Sequence, residues 1–137
     1  MLTNRSMPVG AVIPVLGYDD VDEAITWLCE TFGFTERWHA GSHRAQLAIG
    51  DAAVAVTGSG SGSGGANVMV RVYDVDAHYA LASEKGAQLS GPPADYPYGE
   101  RQYTAVDPGG HTWTFSQSIA DVAPEDWGGV SGPGLSA

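Results

Sequence analysis

A single cysteine, six basic side chains and the lack of any long apolar run set the first limits on this 137-residue chain. With Cys29 alone, neither an intramolecular disulfide nor a Cys-rich zinc cluster can form, so a reducing, cytoplasmic setting is expected. No apolar stretch approaches the roughly 18 residues of a membrane span. Met1-Leu2-Thr3-Asn4-Arg5 lacks the apolar segment of a signal peptide, so no membrane partner is expected. Six Lys and Arg stand against 16 Asp and Glu, a net charge of −10. A phosphate backbone needs a basic face that six scattered cations cannot supply, which excludes nucleic acid as a partner. The acid either favours a neutral or cationic partner or only keeps the protein soluble. A chain of this length buries about two-thirds of its unfolded surface in one core, so no metal or disulfide is required to hold it together.

What the chain does have is an internal repeat. Asp20-Val21-Asp22 recurs as Asp74-Val75-Asp76. A β-branched-rich stretch precedes each copy, residues 11–16 and 68–73, and both predict strands. Each aspartate can cap a helix, and apolar residues follow at helical spacing. They are Val21, Ala24, Ile25, Leu28 and Phe32 in the first copy, and Val75, Tyr79 and Ala82 in the second. Gly33 and Gly86 then close the two helices. Residues 34–39 predict a strand, and residues 43–57 a hairpin turning at Gly50-Asp51. Residues 101–106 turn through Asp107-Pro108-Gly109-Gly110 into 112–115. The expected organisation is one α+β domain: a first unit at 8–57, a Gly/Ser linker at 58–66, a second unit at 67–118 and a tail at 119–137. Residues 91–99, rich in aromatics, are expected to be irregular and to form a lid or wall, and Trp127 in the tail is expected to dock on the body.

Two such units, the paired Asp-Val-Asp helix starts, Tyr98-Gly99-Glu100-Arg101 and the run from Asp107 to Phe115 together resemble the vicinal oxygen chelate superfamily, which includes glyoxalase I, bleomycin-resistance proteins and extradiol dioxygenases. The resemblance spans residues 8–118. It implies two tandem βαβββ units forming a curved mixed sheet around a cleft, with the helices outside, and a homodimer. Members with metal-dependent chemistry hold one divalent ion through four side chains, two from each unit, where it acts as a Lewis acid on a chelating substrate. Carried onto this sequence, the ligand positions are Ile13, Asn67, Thr114 and a residue near Ala55. None is histidine or a carboxylate, and Val12, Pro14, Val54, Ala66, Val68, Trp113 and Phe115 beside them are no better. The usual metal site is therefore expected to be absent, and no cofactor is expected. The alternative is a divalent metal on non-standard ligands, His43 with Glu100. Among the other histidines, His78 is expected on a solvated helix surface, His111 in a turn or capping role, and His39 in a hairpin loop with His43.

Strand alternation lists what would line the cleft. Ile13 and Val15 share one parity with Gln46, Ala48, Ala53 and Ala55. Asn67, Met69 and Arg71 share it with Gln102, Thr104, Thr114 and Ser116. Such a lining, mostly small and apolar with sparse amides and hydroxyls, suits a small-molecule pocket. From it, Ile13, Gln46, Ala55, Asn67, Met69, Arg71, Gln102, Thr104 and Thr114 are the candidate ligand contacts. Arg71 is either an anion or carbonyl clamp or a salt-bridge partner. Trp113 and Phe115 have the opposite parity and are expected in the core. Glu100 is a candidate general base, whereas Cys29 falls within a helix as inert packing. Three readings follow: a metal-free protein binding a small, cationic or aromatic drug; a glyoxalase-type lyase or dioxygenase with unconventional ligands; or a structural dimer with a closed cleft.

Overall fold

The computed structural model describes residues 2–58 and 65–135, so residues 59–64 of the expected linker lie outside it. Both helices begin at the repeated motif. Asp20 accepts the Glu23 N–H and Asp74 the Ala77 N–H, each at 3.0 Å, satisfying one of the amides that a helix start leaves unpaired. Helix α1 spans Val21–Phe32 and α2 spans Val75–Glu84. Gly33, at φ 79°, closes α1 by donating its N–H to the Cys29 carbonyl. No described helix is long and apolar enough to cross a membrane.

The repeat in sequence is a repeat in topology. Strands β1 (Val15–Gly17), β2 (Thr35–Ala40), β3 (Arg44–Ile49) and β4 (Ala52–Thr57) form a sheet in the order β1-β4-β3-β2. Strands β5 (Asn67–Arg71), β6 (Gln88–Leu89), β7 (Ala94–Tyr96), β8 (Glu100–Val106) and β9 (Thr112–Ser118) form a second in the order β5-β9-β8-β6, with β7 also on β8. In each sheet the first strand lies parallel on the last, β1 on β4 and β5 on β9, and the remaining pairs are antiparallel.

The first strand is shorter than the 11–16 stretch predicted. Pro14 has no N–H to place in a ladder, and Val12 is 82% exposed, so pairing begins only at Val15. Pro14 still accepts the Ala55 N–H through its carbonyl at 2.8 Å. Residues 91–99 are also more regular than expected. They contain β7, whose register with β8 sets Ala94 opposite Gln102 and Tyr96 opposite Glu100.

One core serves both units. Val21, Ala24, Leu28 and Phe32 of α1 pack with Leu47, Val54 and Val56 of the first sheet, and the same cluster includes Tyr103, Trp113 and Phe115 of the second. Trp113 and Phe115 are fully buried, as their strand parity predicts. Phe32 joins the halves, its ring centroid 5.7 Å from Trp113 and 4.7 Å from Phe115.

His78 departs from the solvated position expected of it. Its ring lies 4.1 Å from that of Phe115; Nε2 donates to the Phe32 carbonyl at 3.0 Å, and Nδ1 therefore accepts the Tyr103 hydroxyl proton at 2.6 Å. Burial pushes its pKa below the usual histidine value. The unfolded chain then binds the proton more readily than the folded one, so this group's stabilisation is complete above the ordinary histidine pKa and is lost as pH falls below it. Its slope cannot exceed about 1.4 kcal/mol per pH unit. Urea unfolding between pH 8 and 5 is expected to lose stability more steeply in the native chain than in His78→Gln. Equal slopes would assign the acid sensitivity elsewhere. His39, exposed and raised by hydrogen bonding to Glu36, acts in the opposite direction and cancels in that comparison.

The tail is tied to the β7–β8 turn. Ile119 and Ala120 both donate to the Gly99 carbonyl, at 2.8 and 3.3 Å. Gly99 has φ 84°, and a Cβ there would stand 2.5 Å from the Ala120 oxygen. Gly99→Ala is therefore expected to cost ~2 kcal/mol in urea unfolding, from backbone strain and displacement of the strap. Further on, a single 3-10 turn at Pro124–Asp126 brings the Trp127 ring edge-on to Tyr98 at 5.8 Å.

Candidate functional site

The faces of the two sheets that point away from the shared core carry the expected cleft residues. On the first, Val15 and Gln46 both stand opposite Ala55, and Trp38 stands opposite Gln46. Ile13 lies just ahead of β1 and is half-buried. On the second, Met69, Thr114 and Thr104 form one cross-strand row, and Arg71, Ser116 and Gln102 the next. Asn67 pairs with Thr112. The structure thus gathers Ile13, Gln46 and Ala55 on one sheet, and Asn67, Met69, Arg71, Gln102, Thr104 and Thr114 on the other. Among the described residues no strand of one sheet pairs with a strand of the other.

The second face has a connected polar ladder. Ser116 donates to Glu100 at 2.5 Å and accepts from the Gln102 amide at 3.0 Å; the Tyr98 hydroxyl donates to the Gln102 oxygen at 3.3 Å. Thr104 and Thr114 share a hydrogen bond of 3.1 Å. Hydrogen bonds from Ser116 and Ser118, with a smaller contribution from the Arg71 charge, hold the Glu100 carboxyl below the usual range. A base works best with a pKa near the working pH, so this carboxylate is better suited to accepting hydrogen bonds or facing a cation than to abstracting a proton.

Between the sheets runs an open groove of about 720 Å³, lined by Val12, Pro14, Ala52 and Ala53 on one side and by Met69 and Arg71 of β5 on the other. It runs beside the outer edges of β1 and β5, which among the described residues pair in a ladder only with β4 and β9. Val12, Val15, Met69 and Tyr73 along these edges are 82%, 54%, 66% and 101% exposed.

The four positions at which the resemblance places metal ligands can be read in register. Ile13 lies one pleat before Val15, which faces Ala55, and Asn67 lies one pleat before Met69, which faces Thr114. The two units are offset alike, but isoleucine and alanine have no donor atom, and asparagine with threonine offers only neutral oxygens, so the set does not fit a retained transition-metal ion. The alternative pair comes from separate sheets. His43 sits in the β2–β3 turn, where its carbonyl accepts the Gly58 N–H at 3.0 Å, while Glu100 belongs to the ladder on the other sheet. Among the described residues no three His, Cys, Asp or Glu side chains are grouped to hold an ion. His111 is buried and structural, donating from Nε2 to the Gly17 carbonyl at 2.8 Å.

One residue of this surface escapes sequence reasoning. The register of β2 slips between Glu36 and Trp38, a bulge at Arg37 that brings two consecutive side chains onto the concave face, where Arg37 donates to Gln46. Counted from the buried Phe34, strict alternation puts Thr35 and Arg37 on the concave face and Trp38 on the other, so it is Trp38 that the slip brings across, and nothing in the sequence marks it.

The family model described as Glyoxalase/Bleomycin resistance protein/Dioxygenase superfamily matches residues 12–115. The chain belongs to that superfamily. Among solved structures, TioX from Micromonospora sp. ML1 is 31% identical, with a TM-score of 0.70 over 83% of this chain and 100% of that one. The bleomycin-binding protein of Streptomyces verticillus, crystallised with copper(II)-bleomycin, is 20% identical, with a TM-score of 0.63 over 80% and 96% of the two chains. The fosfomycin resistance protein FosX of Listeria monocytogenes is 14% identical, with a TM-score of 0.66 over 81% and 94%. At those last two identities the likeness concerns the fold. No curated protein sequence matches the chain. Superfamily membership leaves chemistry to the residues of the site.

Proposed function

We propose that this protein binds a small molecule on its concave faces without a metal ion, and that it acts by binding rather than by chemistry. The observation that carries the reading is the pairing of two facts: donor-poor side chains at the four ligand positions, and an intact polar ladder on the same surface. The groove between the strand edges supplies apolar walls with Arg71 as a polar contact, and Gln102, Thr104 and Thr114 on the adjoining face of the second sheet offer further sparse polar contacts that orient a ligand. A net charge of −10 and the ionised Glu100 favour a cationic or aromatic drug. The fold neighbour crystallised with copper(II)-bleomycin agrees with that choice.

The same edges support a homodimer. Val12, Val15, Met69 and Tyr73 expose an apolar band beside the groove, and a second copy of the chain covers it and brings a first-unit face against a second-unit face. Sedimentation equilibrium is expected to give a dimer at micromolar concentration, whereas a monomer would restrict the cleft to one chain.

The binding reading is tested by thermal shift in the presence of chelator, against bleomycin, other cationic aromatic drugs and 2-oxo acids. A ligand at a hundred times its dissociation constant adds about 2.7 kcal/mol, a readily visible shift. A flat response to all of them at millimolar concentration would count against binding and favour a structural dimer.

A further inference from the structure

The bulge in β2 sets two hydrogen-bond donors side by side, and both are aimed at the chain's own N-terminal segment. Arg37 Nη2 donates to the Arg5 carbonyl at 3.0 Å, and Trp38 Nε1 donates to the Ser6 carbonyl at 3.1 Å. The other guanidinium nitrogen is anchored on Gln46 of the sheet floor. Asn4 shapes the segment, accepting the Ser6 N–H on Oδ1 and the Met7 N–H on its carbonyl, each at 3.0 Å. Residues 4–7 belong to no strand, so these few bonds are what the structure shows holding them over the concave face.

We propose that Arg37 and Trp38 form a recognition site for an amide-rich, peptide-like ligand, and that residues 4–7 fill it as an internal stand-in which the ligand displaces. This rests on the small-molecule reading above and names its ligand class. A guanidinium and an indole N–H can only donate, so whatever occupies the site must present acceptors. The occupant seen presents two successive peptide carbonyls, one to each donor. Gln46, on which Arg37 is anchored, shares its sheet face with Ala48, Ala53 and Ala55, small side chains that leave room for a backbone to lie close, and the half-buried Trp38 ring adds a flat apolar wall. An aliphatic ligand without carbonyl, amide or carboxylate oxygens would leave both donors unpaired once the segment had left, which selects against it.

The test uses the full chain labelled with ¹⁵N-tryptophan, with the Trp38 indole signal assigned by Trp38→Phe. The probe is the segment's own sequence as a blocked peptide, acetyl-Leu-Thr-Asn-Arg-Ser-Met-Pro-amide. In one chain Asn4, Arg5, Ser6 and Met7 are all replaced by glycine, which removes the turn that presents the carbonyls. In that chain the Trp38 indole signal is expected to move saturably towards its position in the native chain as peptide is added. The native chain is expected to need at least tenfold more peptide, because its site is filled. Adding Arg37→Met to the glycine chain is expected to weaken the response at least tenfold. Equal responses in the native and glycine chains would overturn the proposal. So would an unmoved Trp38 signal in a glycine chain whose Trp27 and Trp113 signals keep their native positions. If those two signals are lost, Arg37→Met in the otherwise native chain decides: a Trp38 indole shift is expected, and an unchanged one overturns the paired site. Stabilisation by a screened drug with Trp38 unmoved would sink this site alone. Failure of every screened compound would sink the drug reading and leave the peptide titration to decide this one.

Discussion

Asp107→Ala is expected to remove ~3–5 kcal/mol of folding stability, the cost of breaking a fully satisfied buried charge network. Asp107 is 4% exposed and accepts four hydrogen bonds. Oδ1 takes the N–H groups of Gly109 at 2.9 Å and His111 at 3.0 Å, which shapes the β8–β9 turn. Oδ2 takes the Trp113 indole at 2.9 Å and the Tyr18 hydroxyl at 2.5 Å, which ties that turn to the first unit. Burial, reinforced by the Asp107 carboxylate, raises the Tyr18 pKa, so the phenol keeps its proton and continues to donate. Alanine leaves the Trp113 and Tyr18 donors without their shared acceptor in the middle of the core. The substitution Asp107→Asn keeps one oxygen for the turn but sets an amide N–H₂ against two donors. It is expected to cost about 2–3 kcal/mol, so the series separates charge from shape. Urea unfolding followed by tryptophan fluorescence measures both, and a loss below about 1 kcal/mol for the alanine variant would contradict the role given to this residue.

The second large effect is expected at Phe32, where helix α1 meets both sheets. Its ring touches Trp27 at 4.9 Å, Phe34 at 5.7 Å, Trp113 at 5.7 Å and Phe115 at 4.7 Å, and the side chain is 3% exposed. Phe32→Ala removes a large buried ring and leaves a cavity lined by other rings that cannot readily collapse, at a cost of ~3–5 kcal/mol. Against a typical domain stability of about 5–15 kcal/mol this approaches global unfolding. Phe32→Leu restores most of the volume and is expected to cost roughly 1.5 kcal/mol or less. If the alanine variant lost no more than the leucine variant, the two units would not share the core described above.

The fold was legible wherever one local rule acted alone. The Asp-Val-Asp pairs marked both helix starts because a capping aspartate followed by an apolar stripe has one reading. The parity of β8 and β9 divided Trp113 and Phe115 from Thr104 and Thr114, because one face of that hairpin packs on the core and the other does not. The site was less legible because it depends on residues that break a period. Trp38 reaches the concave face beside Arg37 through a bulge, and one inserted residue inverts the parity on which the prediction relies. Pro14 interrupts a stretch that composition alone reads as strand. His78 had a usable signal: it lies three residues after Val75 and four before Ala82, on the buried stripe of α2, and only its polarity argued for solvent. The separation of the candidate contacts onto two sheets is a matter of long-range packing, which neither spacing nor propensity encodes.

These positions give the metal question a direct experimental answer. On the proposed reading the protein acts without a bound metal, because Ile13, Ala55, Asn67 and Thr114 stand at the positions where the resemblance places metal ligands. The most direct measurement is elemental analysis of protein purified without chelators, for iron, nickel, manganese and zinc. Substoichiometric metal, unchanged in His43→Ala and Glu100→Gln, is the expected result. Stoichiometric metal retained through purification, and lost in either variant, would contradict it.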